Sequence, residues 1–467
     1  MKILVTVASF GTKNDEYLRQ VIREYQSMPH RVDIIVFSNL QKDLGQNVTS
    51  LVVDLRGRDP HTLPFAHKRI MADRLADYDL FIYSEDDTLI RERNLDAFLK
   101  VSSVMPADEI PGFLNTDIGP TGELHFCNMS WHSHWDPGSV VTRGEYRFAY
   151  FTNQHSAAFV LTQAQLRRAI ESGGFLVEPH QGKYNWACSA ATDPYTQCGF
   201  RKLICVSHLE DFLIRHLPDK YSTRPYGGWD EVKRQLAALE RIQHDGVFRG
   251  HLFQPETKLP LWAWSKSYYE PVNERMVSLI PDTAQTVLSL GCAWGATEEH
   301  LVKRGMRVVG VPMDPVIAAC AEDKGVEIVR GDFAAARRKL QGETFDCILL
   351  SNVLHLVSDP VDVLRSFAPL LSAGGLVLAT APNLGRLSVW FDRLRGKAYC
   401  KDLGDYEKSG LHLTCPRLLR KWFADSNLKI DRIVKVVSGP RQRANRWTLG
   451  LAAPILAEEL IATGRRT

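Results

Sequence analysis

Short apolar runs rich in Val, Ile and Leu recur along the first half of the chain: KILVTVAS (2–9), VDIIVFS (32–38), VTSLVVDL (48–55) and LFIYS (80–84). They are short β-branched runs and read as strands. Polar stretches of helical period, around 16–26 and 65–75, separate them, which predicts βαβ units and a parallel sheet. A second series begins after 262: TVLSLG (286–291), RVVGV (307–311), VEIVRG (326–331), FDCILLS (345–351) and LVLATAP (376–382). The last run, ELIATGRR (459–466), reads as a closing edge strand. Between about 222 and 262 the pattern breaks down around RPYGGWD and a charged helical stretch. We therefore expect two doubly wound, Rossmann-like α/β domains in series, at 1–225 and 263–467, joined by an irregular, partly helical linker at 226–262.

Composition narrows the classes. A chain of 467 residues is too long for one core, and 45% hydrophobic with 24% charged residues describes an ordinary globular protein. The formal charge of +3 is spread without a Lys/Arg block, which argues against nucleic-acid binding. Nine cysteines without a CxxC pair read as free thiols of a reducing compartment. The N-terminal apolar run is too short for a secretion signal, and no stretch approaches a membrane span. The expected location is the cytoplasm, extending to the inner face of the membrane if the acceptor is lipid-linked.

TVLSLGCAWGATEEHL (286–301) is a strand, a glycine turn and a helix start. Gly291 and Gly295 let backbone approach a ligand where a Cβ would intrude, and the helix turns its N–H groups towards that ligand. With the four apolar runs that follow, this order resembles the class I S-adenosylmethionine-dependent methyltransferases, in particular small-molecule O-methyltransferases. The resemblance implies that Gly291, Ala293 and Gly295 line the methionine part of the cofactor and that Asp332 holds the adenine. The stretch Asn352–His355 would floor the site, and YEKSGLHLTCPRLLRKWF would place His412 near the acceptor. Two positions depart from the family: Ser289 stands where an acid is usual, and the ribose-binding acid is displaced to Asp314, which could equally cap the next helix. A neutral histidine suits removal of a hydroxyl proton, and His355 and His412 are the candidates.

In the first half, LFIYS runs into Glu85, Asp86 and Asp87. Three adjacent carboxylates at a strand end repel one another, but acids at the carboxyl edge of an open sheet can share Mn²⁺ or Mg²⁺, which in turn holds phosphate oxygens. The stretch resembles the acidic signature of GT-A glycosyltransferases. It implies a nucleotide-sugar donor, with metal on Asp87 and Glu85, Asp86 on the ribose or sugar, and Ser9 beside the nucleoside. His67, Lys68 and Arg69 are positioned to neutralise phosphate. Asp193 fits the position of an acceptor base, with Glu210 and Asp211 as rivals. A late histidine, His208 or His216, would complete the metal set, and His208 is the primary candidate. Trp131 and Trp135, interleaved with His132 and His134, suit a sugar-stacking platform, while His155 reads as structural.

The joint expectation is a bifunctional enzyme of bacterial surface polysaccharide synthesis. It would transfer a sugar to a glycan or lipid-linked acceptor and methylate a hydroxyl of the product. The alternative is a glycosyltransferase carrying a degenerate, non-catalytic methyltransferase-like module.

Overall fold

The computed structural model describes every residue except Trp131, 245–249, Pro440 and Thr467, and only the backbone of Ala444. The Trp131 half of the expected stacking platform thus falls outside the described residues. The chain forms two compact units, Met1–Lys233 and Arg234–Thr467. The division falls inside helix Trp229–His244, within the stretch expected as a junction. Among the described residues no helix is long and apolar enough to cross a membrane.

The first unit is built on strand Lys2–Ser9, which pairs in parallel with Arg31–Ser38 on one side and Leu80–Glu85 on the other. Seven of its eight residues are buried, which explains the unbroken apolar run. Val48–Val52 adds a parallel edge, and Ala158–Thr162 closes the opposite edge antiparallel. Helix Asp15–Ser27 covers the sheet with Leu18, Val21, Ile22 and Tyr25, one stripe at helical spacing. Beyond residue 105 the pattern differs from simple double winding. Two four-stranded sheets of mixed direction appear, one of them holding Leu114–Ile118 beside Leu213–His216. That pairing carries residues about a hundred positions apart to the carboxyl end of the main sheet.

The second unit contains one seven-stranded sheet with strand Thr286–Cys292 at its centre. Parallel strands Arg307–Pro312, Phe345–Leu350 and Leu371–Pro382 flank it. The third run contracts to a two-residue strand, Glu327–Ile328. Glu459–Arg466 is not the edge, contrary to expectation, because it lies between Leu371–Pro382 and Leu428–Val436 and is antiparallel to both. The burial of the two strands explains the order. Leu460 to Gly464 are buried in succession, whereas Leu428–Val436 keeps most of its residues partly exposed and is fit for the rim.

Candidate functional site

At the carboxyl end of the first unit's sheet, Glu85 ends its strand while Asp86 and Asp87 turn away from it, each 6% exposed. The backbone pins this turn: the Glu85 amide donates to Ala157 O at 2.9 Å and the Asp86 amide to Ala8 O at 3.1 Å. Asp86 is satisfied locally, accepting from Ser9 Oγ at 2.7 Å and Asn14 Nδ2 at 2.8 Å. Burial nevertheless holds its carboxyl above the usual range. Glu85 has no comparable donors among the described residues; burial, reinforced by the charges of Asp87 and Asp86, pushes it up to about 8. Asp87 Oδ2 accepts from Asn14 Nδ2 at 3.3 Å and lies 3.8 Å from His216 Nε2 and 3.9 Å from Lys220 Nζ. His216 is oriented from behind by Asp117, whose Oδ1 lies 2.7 Å from Nδ1. Asp117 also accepts from the Cys127 thiol at 3.0 Å and from the Tyr221 amide. With Nδ1 engaged by Asp117, Nε2 is the imidazole nitrogen that faces Asp87.

The histidine beside the acids is therefore His216. His208 sits exposed at the surface, against the edge of Tyr146 and next to Ser207. Lys68 and Asp193 are also placed differently from expectation. They form a buried ion pair with each other, and His180 Nε2 approaches the second Asp193 oxygen at 3.0 Å. Two charges removed from water must neutralise one another, so neither is free for phosphate or for an acceptor proton. Burial lowers the Lys68 ammonium, and Asp193 partly restores it. His67 is buried among Tyr83, Phe159 and Phe175 and donates from Nδ1 to Pro64 O, which removes it from phosphate as well. His155 is buried, and burial together with the Lys202 charge lowers it to about 4, in keeping with a structural histidine. A cleft of about 630 Å³ is lined by Phe10, Asn39, Val53, Arg56 and Arg58, Phe10 being the residue after Ser9.

In the second unit, strand Thr286–Cys292 leads into a turn with two left-handed glycines, Gly291 at φ 76° and Gly295 at φ 86°. Gly295 precedes helix Ala296–Lys303, and a Cβ there would stand 2.8 Å from the Ala321 side chain. A Cβ on Gly291 would meet Val353 at 2.7 Å and the Phe253 ring at 2.9 Å. Both close approaches therefore require glycine. Beside Ser289, where the resemblance expects an acid, Glu298 of the next helix, 6% exposed, accepts from Ser289 Oγ at 2.7 Å. No sequence signal distinguished it, since an acid in the first turn of a helix is ordinary.

Asp314 does not serve as the displaced ribose acid in this arrangement. Its Oδ1 accepts from the Val316 and Ile317 amides at 2.8 and 2.7 Å, its Oδ2 lies 3.4 Å from His251 Nδ1, and the residue is fully buried. Asp332 caps helix Phe333–Lys339 through the Ala335 amide at 2.6 Å and remains exposed, with acceptor capacity to spare.

A strap over residues 250–270, expected as linker up to residue 262, crosses the carboxyl ends of these strands. Leu252 N donates to Met313 O at 3.1 Å, Lys266 Nζ to Ser351 O at 2.7 Å, and Trp294 N to Tyr268 O at 3.2 Å. Leu261, Trp262 and Trp264 in the strap are left-handed, at φ 56°, 50° and 61°, costly backbone for bulky side chains. Its density of aromatics was the available signal. His355 is held beneath it, with Nε2 2.9 Å from Trp264 O and Nδ1 without a hydrogen-bond partner among the described residues. Burial lowers His355 to about 4, so its ring is neutral at physiological pH. His412 follows closely: its amide donates to His355 O at 2.8 Å, its Nε2 lies 3.0 Å from Val357 O, and its ring stacks on Tyr406.

Residues 288–379, from the glycine strand to the fifth strand, match a family model described as "Methyltransferase domain". A ubiquinone biosynthesis O-methyltransferase of Ruegeria sp. (strain TM1040) is 32% identical over 107 residues, covering 22% of this chain and 43% of that protein. One of Stutzerimonas stutzeri (strain A1501) is 26% identical over 196 residues, covering 38% of this chain and 82% of that protein. The chain thus spans under half the length of the Ruegeria relative. A crystal structure of an S-adenosylmethionine dependent methyltransferase from Mesorhizobium loti aligns with TM-score 0.31 and 16% identity, over 41% of this chain and 96% of that one. The glycine turn and the strands Arg307–Pro312, Glu327–Ile328 and Phe345–Leu350 of the seven-stranded sheet fall within the stretch that matches this methyltransferase model.

Proposed function

We propose that the second unit transfers a methyl group from S-adenosylmethionine to a hydroxyl of a small-molecule or glycan acceptor. The observation that supports this most directly is the left-handed glycine turn buttressed by Glu298, inside the stretch that matches the methyltransferase family. When bound, S-adenosylmethionine supplies an electrophilic methyl group. Gly291, Ala293 and Gly295 would admit its methionine part against backbone, and the open side of Asp332 would accept from the adenine amino group. His355, neutral and with Nδ1 unprotonated, would take the proton of the acceptor hydroxyl, with His412 as the rival base. Calorimetric titration with S-adenosylmethionine tests the reading. Heat with the native chain and none with Gly295→Ala supports it. No heat from the native chain at high protein concentration would leave the domain as a non-catalytic module beside another activity.

For the first unit a second reading is supported by one relationship, Asp87 Oδ2 lying 3.8 Å from His216 Nε2. We infer that Mn²⁺ or Mg²⁺ binds there, with Asp87 and His216 as ligands and Glu85 behind them, and that the cation carries the diphosphate of a nucleotide-sugar donor. The donor set suits a hard cation that accepts carboxylate and imidazole. The cleft lined by Phe10, Asn39 and Arg58 would take the nucleoside. With Asp193 paired to Lys68, the acceptor base remains unassigned. A thermal-shift screen of nucleotide sugars with and without Mn²⁺ tests this, since a ligand of the folded state raises stability by mass action. Stabilisation by no nucleotide sugar would remove the glycosyltransferase reading, with its polysaccharide role and its glycan acceptor.

A further inference from the structure

Two segments of the second unit expose large apolar side chains next to one another. Helix Leu387–Leu394 presents Trp390 and Leu394, 54% and 65% exposed. The turn between helices Arg441–Trp447 and Ala453–Leu456 presents Trp447, Leu449 and Leu451, at 88%, 92% and 84%. The first and last of these helices are in contact, and Asn383 Nδ2 joins the segments by donating to Pro454 O at 3.0 Å and Ala457 O at 3.1 Å. Apolar surface of this extent, concentrated on one face, marks a docking site rather than scattered exposure.

The charged residues around it are predominantly basic. Arg393, Arg395 and Lys397 are exposed beside the first segment, against the single acid Asp392, and Arg443 and Arg446 are exposed beside the second, which holds no acid. Trp and Leu projecting from a basic collar is the composition of a surface that lies in the headgroup region of an anionic bilayer. A second copy of the chain is disfavoured, because a two-fold contact through this face would set the arginines against themselves. A folded partner protein is also the poorer occupant, because the most exposed side chains project from a turn instead of lining a groove.

The position in the fold adds a second argument. Helix Leu387–Leu394 follows the carboxyl end of strand Leu371–Pro382, and helix Ala453–Leu456 precedes Glu459, which pairs with Pro382 at that same end. The Leu384 and Gly385 amides donate to Thr414 O, two residues from His412. The face thus adjoins the rim of the sheet where the glycine turn and both histidines lie. We propose that this apolar, basic face docks the chain peripherally on an anionic phospholipid surface, presenting the methyltransferase site to an acceptor that partitions into the membrane. The docking itself needs no methyl donor; the clause about the acceptor rests on the methyltransferase reading.

Co-sedimentation of the full chain with phosphatidylcholine vesicles, with and without phosphatidylglycerol, tests it. The native chain is expected to sediment with the anionic vesicles only and to be released by salt. The W447S/L449S/L451S variant, altered only at exposed positions, is expected to partition about tenfold more weakly, and R443Q/R446Q to lose most of the preference for anionic lipid. Failure of the native chain to sediment, or sedimentation unchanged in the triple variant, overturns the proposal. So does a native dimer that the triple variant converts to monomer, which would make the face an interface between copies. None of these readouts uses S-adenosylmethionine, so they fail or succeed independently of the calorimetric test.

Discussion

Asp117 Oδ1 lies 2.7 Å from His216 Nδ1, and through that contact the buried acid decides which nitrogen of the imidazole faces Asp87. Burial opposes ionisation of Asp117, but hydrogen bonds from His216, Cys127 and the Tyr221 amide outweigh it and hold its carboxyl below the usual range. If His216 binds a cation, Asp117→Asn weakens Mn²⁺ binding by about 10–100-fold, the usual cost of losing a partner that orients a ligand. His216→Ala should weaken it at least as much and His208→Ala not at all. Titration of Mn²⁺ into each variant by calorimetry measures this. Equal affinities for the native chain and His216→Ala would remove the histidine from the metal set.

Glu85 supplies a pH prediction. Its folded value of about 8 stands above the ordinary 4.5, so the folded chain binds its proton more tightly than the unfolded chain does. The stabilisation from that proton is complete below the unfolded value and is lost as pH rises through about 8. In chelator, the melting temperature of the first unit should therefore fall between roughly pH 5 and 8.5, and Glu85→Gln should flatten the slope. Added Mn²⁺ should stabilise most at the alkaline end, where the carboxylate is charged. Identical pH slopes for native and Glu85→Gln chains in chelator would show that this carboxyl keeps its ordinary affinity.

Ser289 and Glu298 invite an exchange. Glu298→Ala leaves the buried Ser289 hydroxyl without its acceptor, costing about 1–3 kcal/mol. Ser289→Asp places a second carboxylate against Glu298 and should destabilise through like-charge repulsion. The double variant S289D/E298S returns one acid and one hydroxyl to the site in exchanged positions. It should recover most of the loss, as read by denaturant unfolding. A double variant no more stable than Ser289→Asp would mean that the pair is not energetically coupled.

The glycine turn carries its own expectation. Gly295→Ala combines a left-handed backbone with a Cβ 2.8 Å from Ala321, and Gly291→Ala adds overlap with Val353 and Phe253. Each should cost at least about 1–2 kcal/mol from the left-handed conformation alone. Gly305→Ala, left-handed but with open space around its Cβ, isolates that conformational part. Chemical denaturation of the three variants separates strain from overlap, and equal losses would show that the packing around the turn yields freely.

Much of the layered architecture was legible along the chain because burial on both faces leaves unbroken Val, Ile and Leu. Strand Lys2–Ser9 coincides with its run, and Gly291 and Gly295 announced a turn that only glycine can make. The same local logic misled where a neighbour came from far away. Glu459–Arg466 read as an edge because nothing in its own residues shows that Leu428–Val436 pairs outside it. Lys68 and Asp193 each looked available until they were found to neutralise one another across 125 positions.

By itself, then, the order of residues determined where strands and helices form, where the backbone must be glycine and which acids crowd a sheet end, since these follow from short-range sterics and periodic burial. Tertiary structure alone decided which of two histidines eight positions apart meets Asp87. The register of Leu213–His216 against Leu114–Ile118 sets His216 over Asp117 and leaves His208 at the surface. Tertiary structure likewise brought the Glu298 carboxylate to Ser289 Oγ and turned Asp314 inward. The His216–Asp117 contact spans 99 positions, a long-range pairing of buried polar groups that no local pattern encodes.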